Sequence, residues 1–373
     1  MIYLDHNAGA PLLPDIERHL STAHQGAWGN PSSVHQAGRL ARKRLDDARE
    51  RVARVLGCTP REVTFTGSGS EAAAIAVLGA FRGRKDRARM RVVITAIEHP
   101  CVLGAAKILE GEGAEVIRVA PRTDGAVALE DVMAHVDART ALVSMQWVNN
   151  ETGVIQPAPE LARACAKLGV PFHCDAVQAF GRLPASLREV PAALLSLSAH
   201  KLGGPAGVGV LFARRGLDVQ ALTPGHQENG RRGGTQAIVM AECMAMALEH
   251  ARASHEVLSA HVTPLRDRLE REVIAAFPQT RVNGTATRVG STSNLMFPGA
   301  DGEAVLIALD LQGICVSTGA ACASGSLTPS HVLLAMGRSS AEASGSLRFS
   351  LGAQTSEAEI SAVVAALQRA ISP

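Results

Sequence analysis

Short apolar runs rich in β-branched residues alternate with helical patterns from residue 63 to residue 212. The runs lie at 63–66, 91–95, 115–119, 141–145, 170–174, 194–198 and 208–212. Several are almost wholly apolar, as strands covered on both faces must be. Helical patterns at 38–56, 70–81, 101–110, 129–136 and 160–168 separate them. Gly57 stands where a C′ residue would end the first of these. Such alternation predicts an α/β fold with a largely parallel, doubly wound sheet. Ligands of such sheets bind at the carboxyl ends of the strands. After Gly234 the pattern changes. Two long helical stretches (235–253 and 256–277) lead to a strand at 293–297, a helix at 303–311 and a Gly/Ser/Ala-rich stretch at 317–326. A strand at 346–351 and a helix at 357–371 close the chain. This predicts a smaller α+β domain beginning near residue 255.

Composition narrows the function classes. The chain has 373 residues, too many for one small core. Its 37 Lys and Arg nearly cancel 35 Asp and Glu, a balance that speaks against a nucleic-acid binder held by phosphate charge. One Tyr and two Trp leave little surface for stacking on single strands. The seven cysteines form no CxxC pair, which argues against a disulfide framework or a zinc-finger-like site. The N-terminus lacks a signal-peptide pattern, and no apolar run reaches membrane-span length. The expectation is a cytoplasmic, reduced enzyme or binding protein with no nucleic-acid, membrane or metal partner.

Three strand ends carry chemistry. Lys201 follows an apolar strand and precedes a Gly/Pro loop, with Ser198 and His200 beside it. An amine there is either a solvated strand-end Lys or a partly desolvated one fit for covalent work on a carbonyl. Asp175 ends another apolar strand. It is either a helix cap or the counter-ion of a protonated pyridine nitrogen, with Gln178 three residues on. Thr66-Gly-Ser-Gly69-Ser70-Glu71 runs from a strand into a helix, where small residues admit an anion to the backbone N–H groups.

Taken with further segments, these residues resemble the cysteine desulfurases of the class V aminotransferase family, a fold-type I group that uses pyridoxal 5′-phosphate. The segments are Tyr3-Leu-Asp-His-Asn7, Gly29-Asn-Pro-Ser-Ser-Val-His35, Glu98-His-Pro100, Val148–Pro157, Asp175–Gln178, Ser198-Ala-His-Lys201, Gly225-His-Gln-Glu228, Arg232-Gly-Gly-Thr235, Val316–Gly325, Pro329-Ser-His-Val332 and Leu347-Arg-Phe-Ser-Leu351. The resemblance implies that Lys201 bonds the cofactor covalently. Asp175 would pair with its ring nitrogen and Gln178 with its phenolic oxygen. His99 would stack on the ring and move protons, or else merely cap a helix. Asn150 would lie between cofactor and substrate. Gly69, Ser70, Ser198 and His200 would cradle the phosphate. Thr235, reaching in from a neighbouring subunit, would imply a homodimer. Arg348 would clamp the substrate carboxylate, and an unpaired Arg inside an apolar strand otherwise has no evident purpose. The large cofactor domain would span 15–255. Residues 1–14 and 256–373 would form the small domain.

Cys322 lies among Ala, Ser and Gly, with no apolar periodicity around it. It reads as an accessible nucleophile, whereas Cys58, Cys165 and Cys243 read as core residues. Cys174 is discounted because a regular strand turns it away from Asp175. The implied reaction converts L-cysteine to L-alanine. Lys201 removes the Cα proton, and the Cys322 thiolate takes the sulfur as a persulfide. The sulfur then passes to an acceptor protein, for iron–sulfur cluster assembly or other delivery, with Gly319, Ser324 and Gly325 allowing motion. Another class V enzyme, a selenocysteine lyase or a small-amino-acid aminotransferase, is the alternative. Ala8-Gly9-Ala10 and Ala72-Ala73-Ala74 depart from the usual pattern, which leaves substrate preference open.

Overall fold

A computed structural model describes residues 1–23, 25, 28–318 and 328–371. Its strands, in chain order, are β1 (Ile2–Tyr3), β2 (Val63–Thr66), β3 (Arg91–Thr95), β4 (Glu115–Val119), β5 (Thr140–Gln146), β6 (Phe172–Asp175), β7 (Leu194–Ser198), β8 (Gly209–Ala213), β9 (Arg281–Val282), β10 (Thr292–Met296), β11 (Ile314–Cys315) and β12 (Ser346–Ser350). A seven-stranded sheet runs β2-β8-β7-β6-β5-β3-β4. Pairs from β7 through β4 are parallel. The α/β class with a mostly parallel sheet is therefore the one expected. β8 is the exception, antiparallel to both β2 and β7. Only residues 199–208 join β7 to β8, too few for a parallel crossover. That short return holds Lys201.

The apolar runs exist because both sheet faces are covered. Along β3, Val93 enters one core, while Val92 and Ile94 enter the other. On β6, Phe172 and Cys174 belong to the first core, so Asp175 projects from the opposite face, as the period of two requires. The ladder of β6 starts at Phe172 and includes Asp175 opposite Gln146, an offset from the expected 170–174. The helix Gln36–Leu56 is capped at its start by His35, whose ring accepts from the Gly38 N–H. It ends at Gly57 with φ 78°, the left-handed stop that glycine adopts without penalty.

Two expectations are corrected. The stretches 235–253 and 256–277 are not separate helices. They are one helix, Ile238–Ala276, with Pro264 inside it. The polar Ser254-His255 step looks like a break, but both side chains bond back onto their own helix, Ser254 to the His250 carbonyl and His255 to that of Arg252. The first half of this helix packs Met244, Leu248 and Ala251 into the main core. Its second half packs Val262, Leu265, Leu269 and Val273 into a different core. The segment expected as one helix over 70–81 is helical from Gly69 to Gly83 but passes through a wider π turn at Ile75–Gly79. This core of the second helix half also takes Leu4 and the β12-β10-β9 sheet residues Leu295, Leu347 and Phe349. β1 pairs in parallel with β11. No helix among the described residues is long and apolar enough to cross a membrane.

Candidate active site

The carboxyl ends of β5, β6 and β7 converge on a cavity of about 450 Å³. At the end of β7, the connection to β8 turns Lys201 back over the sheet edge. Its Nζ donates to the carbonyls of Asn7 and Ala8, at 2.7 Å each. Ser198 Oγ lies 2.8 Å from His200 Nδ1. Burial, with Lys201 nearby, pulls His200 down to about 4, so it is neutral at pH 7.

Asp175 ends β6 in the same cavity and accepts from the Val177 N–H at 3.0 Å. Burial raises its carboxyl to about 6, opposed by that N–H and by the Lys201 charge. Gln178 Nε2 donates to the Asn7 carbonyl at 3.0 Å, while its buried Oε1 has no partner among the described residues. An open buried amide oxygen is costly in a closed protein and points to something that fills the cavity.

His99 is both things the sequence allowed. It caps the helix Pro100–Gly111, with Nδ1 accepting from the Cys101 N–H at 3.2 Å, and it lines the cavity. Because Nδ1 accepts, the neutral ring carries its proton on Nε2. Burial, then the Lys201 charge, lowers its pKa to about 4. At the other end of the cavity are Gly69 and Ser70. A Cβ at Gly69 would fall 2.8 Å from Ser198 Cβ, so only glycine lets this turn sit against β7.

Arg348 on β12 and Asn150 complete the wall. Arg348 is not the lone buried charge the sequence suggested. One terminal nitrogen bonds Asp5 at 2.7 Å and the other the Asn150 carbonyl at 3.1 Å. Its Nε is buried without a partner among the described residues. Asp5 thus offsets the cost of burying the guanidinium.

Ten of the expected site residues therefore share one cavity: Gly69, Ser70, His99, Asn150, Asp175, Gln178, Ser198, His200, Lys201 and Arg348. Thr235 is exposed and does not line it. Cys322, with Gly319, Ser324 and Gly325, lies outside the described residues. Sequence reasoning missed Asn7. Its carbonyl accepts from Lys201 and Gln178, its Nδ2 donates to Thr292 and to the Asn150 carbonyl, and its Oδ1 accepts from Arg182. It is 3 % exposed, and the available signal was its place at the end of the Tyr3–Asn7 segment that carries the resemblance.

Glu98 was also missed as a participant. It is fully buried. One oxygen accepts from Thr95 Oγ1 at 3.0 Å and from the Gln146 N–H at 3.1 Å, and the other has no partner among the described residues. Burial, and then the Asp175 charge, lift it to about 8. The folded state thus keeps a proton that the unfolded chain releases near the ordinary carboxyl pKa. Its stabilising contribution is complete below the unfolded pKa and is lost as pH rises through about 8. In the cofactor-free protein, Glu98→Gln should match wild type in thermal midpoint at pH 5 and exceed it by about 5 °C at pH 8.5. Parallel curves for the two proteins would show that Glu98 does not titrate this way.

The cavity's chemistry fits the expected cofactor. A buried acid suits a protonated ring nitrogen, a lysine amine suits an aldehyde, and hydroxyls at a glycine turn leading into a helix suit a phosphate.

A family model described as aminotransferase class-V matches residues 2–363. The chain is 38 % identical to a cysteine desulfurase of Nostoc sp., over 100 % of this chain and 95 % of that protein. It is 40 % identical to an IscS-like cysteine desulfurase of Mycobacterium tuberculosis, over 100 % of this chain and 96 % of the relative. A solved structure titled NIFS-LIKE PROTEIN superposes with a TM-score of 0.91 at 31 % identity, covering 99 % of this chain and 98 % of the other.

Proposed function

The chain belongs to the class-V aminotransferase family, and from that membership and its full-length likeness to cysteine desulfurases we infer that it is a pyridoxal-phosphate-dependent cysteine desulfurase, converting L-cysteine to L-alanine. The observation that carries this reading is identity of 38–40 % with cysteine desulfurases over the whole chain. When bound, pyridoxal phosphate supplies an aldehyde that condenses with amines and a ring that delocalises the electron pair left at a deprotonated Cα.

The chain's own residues have the following proposed roles. Lys201 holds the cofactor and then, as a free amine, takes the Cα proton of the substrate. Its two carbonyl partners, Asn7 and Ala8, aim the amine. Asp175 holds negative charge at the ring-nitrogen end, and Gln178 orients the ring. His99, kept neutral by burial, lies against the ring and relays a proton through Nε2. Gly69, Ser70, Ser198 and His200 take the phosphate, with Thr235 of a second copy completing it in a homodimer. Asn150 and Arg348 position the substrate, Arg348 through its planar fork.

The Cys322 thiolate then attacks the substrate sulfur. An S–S bond forms and the substrate's Cβ–Sγ bond breaks. The carbon framework keeps that electron pair, gains a proton at Cβ and takes back a proton at Cα from Lys201, leaving alanine and a persulfide on Cys322. The sulfane sulfur passes to an acceptor protein in the cytoplasm, for iron–sulfur cluster assembly or related delivery. Residues 15–255 serve as the cofactor-binding domain. Residues 1–14 with 256–373 form the domain that brings Cys322 and Arg348.

The deciding experiment is formation of alanine and sulfide in equal amounts from L-cysteine with a thiol reductant. Alanine from L-selenocysteine alone, or amino-group transfer to a 2-oxo acid, would instead select one of the other class V activities. Arg348→Lys keeps a cation for Asp5 but loses the fork. It should raise KM for L-cysteine by about tenfold or more, with the visible band of bound cofactor intact. An unchanged KM would remove Arg348 from the substrate site.

A further inference from the structure

A second cavity, of about 460 Å³, shares Lys201 with the first and is otherwise built from different residues. Much of its wall is apolar, with Leu13, Leu202, Leu258 and Leu351 contributing. Its ionisable groups are all basic or neutral: Arg182, Lys201 and three histidines, with no Asp or Glu among the described residues that line it. Arg182 spends its donors on neutral acceptors, the Gln178 carbonyl at 3.3 Å and Asn7 Oδ1 at 3.1 Å. No carboxylate of the described residues pairs with it. Arg348, by contrast, has Asp5. Burial and the nearby Arg348 charge draw Arg182 down to about 10, which leaves it cationic at neutral pH.

Two polar atoms of residues in this wall lack partners. His6 Nε2 and Ser291 Oγ are buried without partners among the described residues, and the two residues are only 8 % and 3 % exposed. His6 Nδ1 is used, 3.0 Å from the Ser350 carbonyl. An unbalanced guanidinium favours an anion, and the apolar wall favours a hydrocarbon portion. The exposed Val257 and Ala353 belong to the same lining, so the cavity opens to solvent.

We propose that this cavity binds a small aliphatic monocarboxylate, its carboxylate on Arg182 and its tail along the leucine wall. The site goes beyond the desulfurase reaction and does not depend on it.

Calorimetric titration of the holoenzyme with hexanoate tests this. Saturable binding at one site per chain is expected, weakening roughly fourfold per methylene removed toward butyrate, with none for hexylamine. Arg182→Met should weaken hexanoate by about tenfold or more. Ala353→Trp, an exposed substitution at the opening, should block binding while alanine formation from L-cysteine is unchanged, and so it decides the matter even if Arg182→Met fails to fold. Arg348→Met should leave hexanoate affinity intact. Absence of saturable binding overturns the proposal. So does equal binding of hexylamine, or a loss confined to Arg348→Met, which would put the carboxylate in the catalytic cavity.

Discussion

Lys201→Ala should cut alanine formation from L-cysteine by about a thousandfold or more. It should also erase the visible band that a lysine-bound pyridoxal phosphate confers. One amine is asked to do two jobs, and no neighbour can replace it. Among the other bases of the cavity, His99 and His200 are both drawn down to about 4 by burial with Lys201 nearby, and both are weak bases at neutral pH. Asp175, raised to about 6, is assigned to the ring nitrogen in the proposed mechanism. The amine's two backbone partners, on Asn7 and Ala8, lose a donor, but both carbonyls border the cavity and can take water. The variant should therefore fold, and circular dichroism checks that it does. A rate within tenfold of wild type, with the band gone, would mean that another base moves the Cα proton.

The second large effect separates cofactor chemistry from sulfur transfer. Cys322→Ala should keep the visible band and the spectral response to L-cysteine, yet lose sulfide release by about a hundredfold or more. Among the described cysteines, Cys101 is the one that lines the cavity. Burial, then the Asp175 charge, pushes its thiol up to about 12, so it carries almost no thiolate at neutral pH. Cys174 sits in the core on the far face of β6, its pKa also well raised by burial. Cys101→Ser should accordingly retain most of the activity. If Cys101→Ser were the inactive variant and Cys322→Ala the active one, sulfur would be passing through Cys101, and the proposed persulfide carrier would be wrong.

Much of the cavity was legible in the chain because a parallel sheet sorts its own ends. Asp175 and Lys201 each follow an apolar run, and parallel strands put such residues along one edge. The glycine turn before Ser70 was legible for the same reason. The antiparallel β8 was not, since apolar alternation says nothing of direction. Neither were β1, β9 and β11, two residues each, too short to show a period. The single helix Ile238–Ala276 was hidden by a polar step that the helix itself satisfies.

The charges divide along the same line. From sequence, Arg348 is a cation in an apolar strand and Asp5 an acid near the N-terminus. Their 2.7 Å contact exists because β12 runs beside the N-terminal segment, with Asp5 bridging to Ser350. Asn7 likewise becomes a meeting point for Lys201, Gln178 and Arg182 only through long-range packing. Residue identity and short-range period determined the layered α/β core, the strand ends that carry chemistry and the kinds of group available there. Which of those groups found partners, which carboxyls were driven toward neutrality and which polar atoms were left open came from tertiary structure, because Coulomb and desolvation energies depend on distance and burial, and neither is a property of position along the chain.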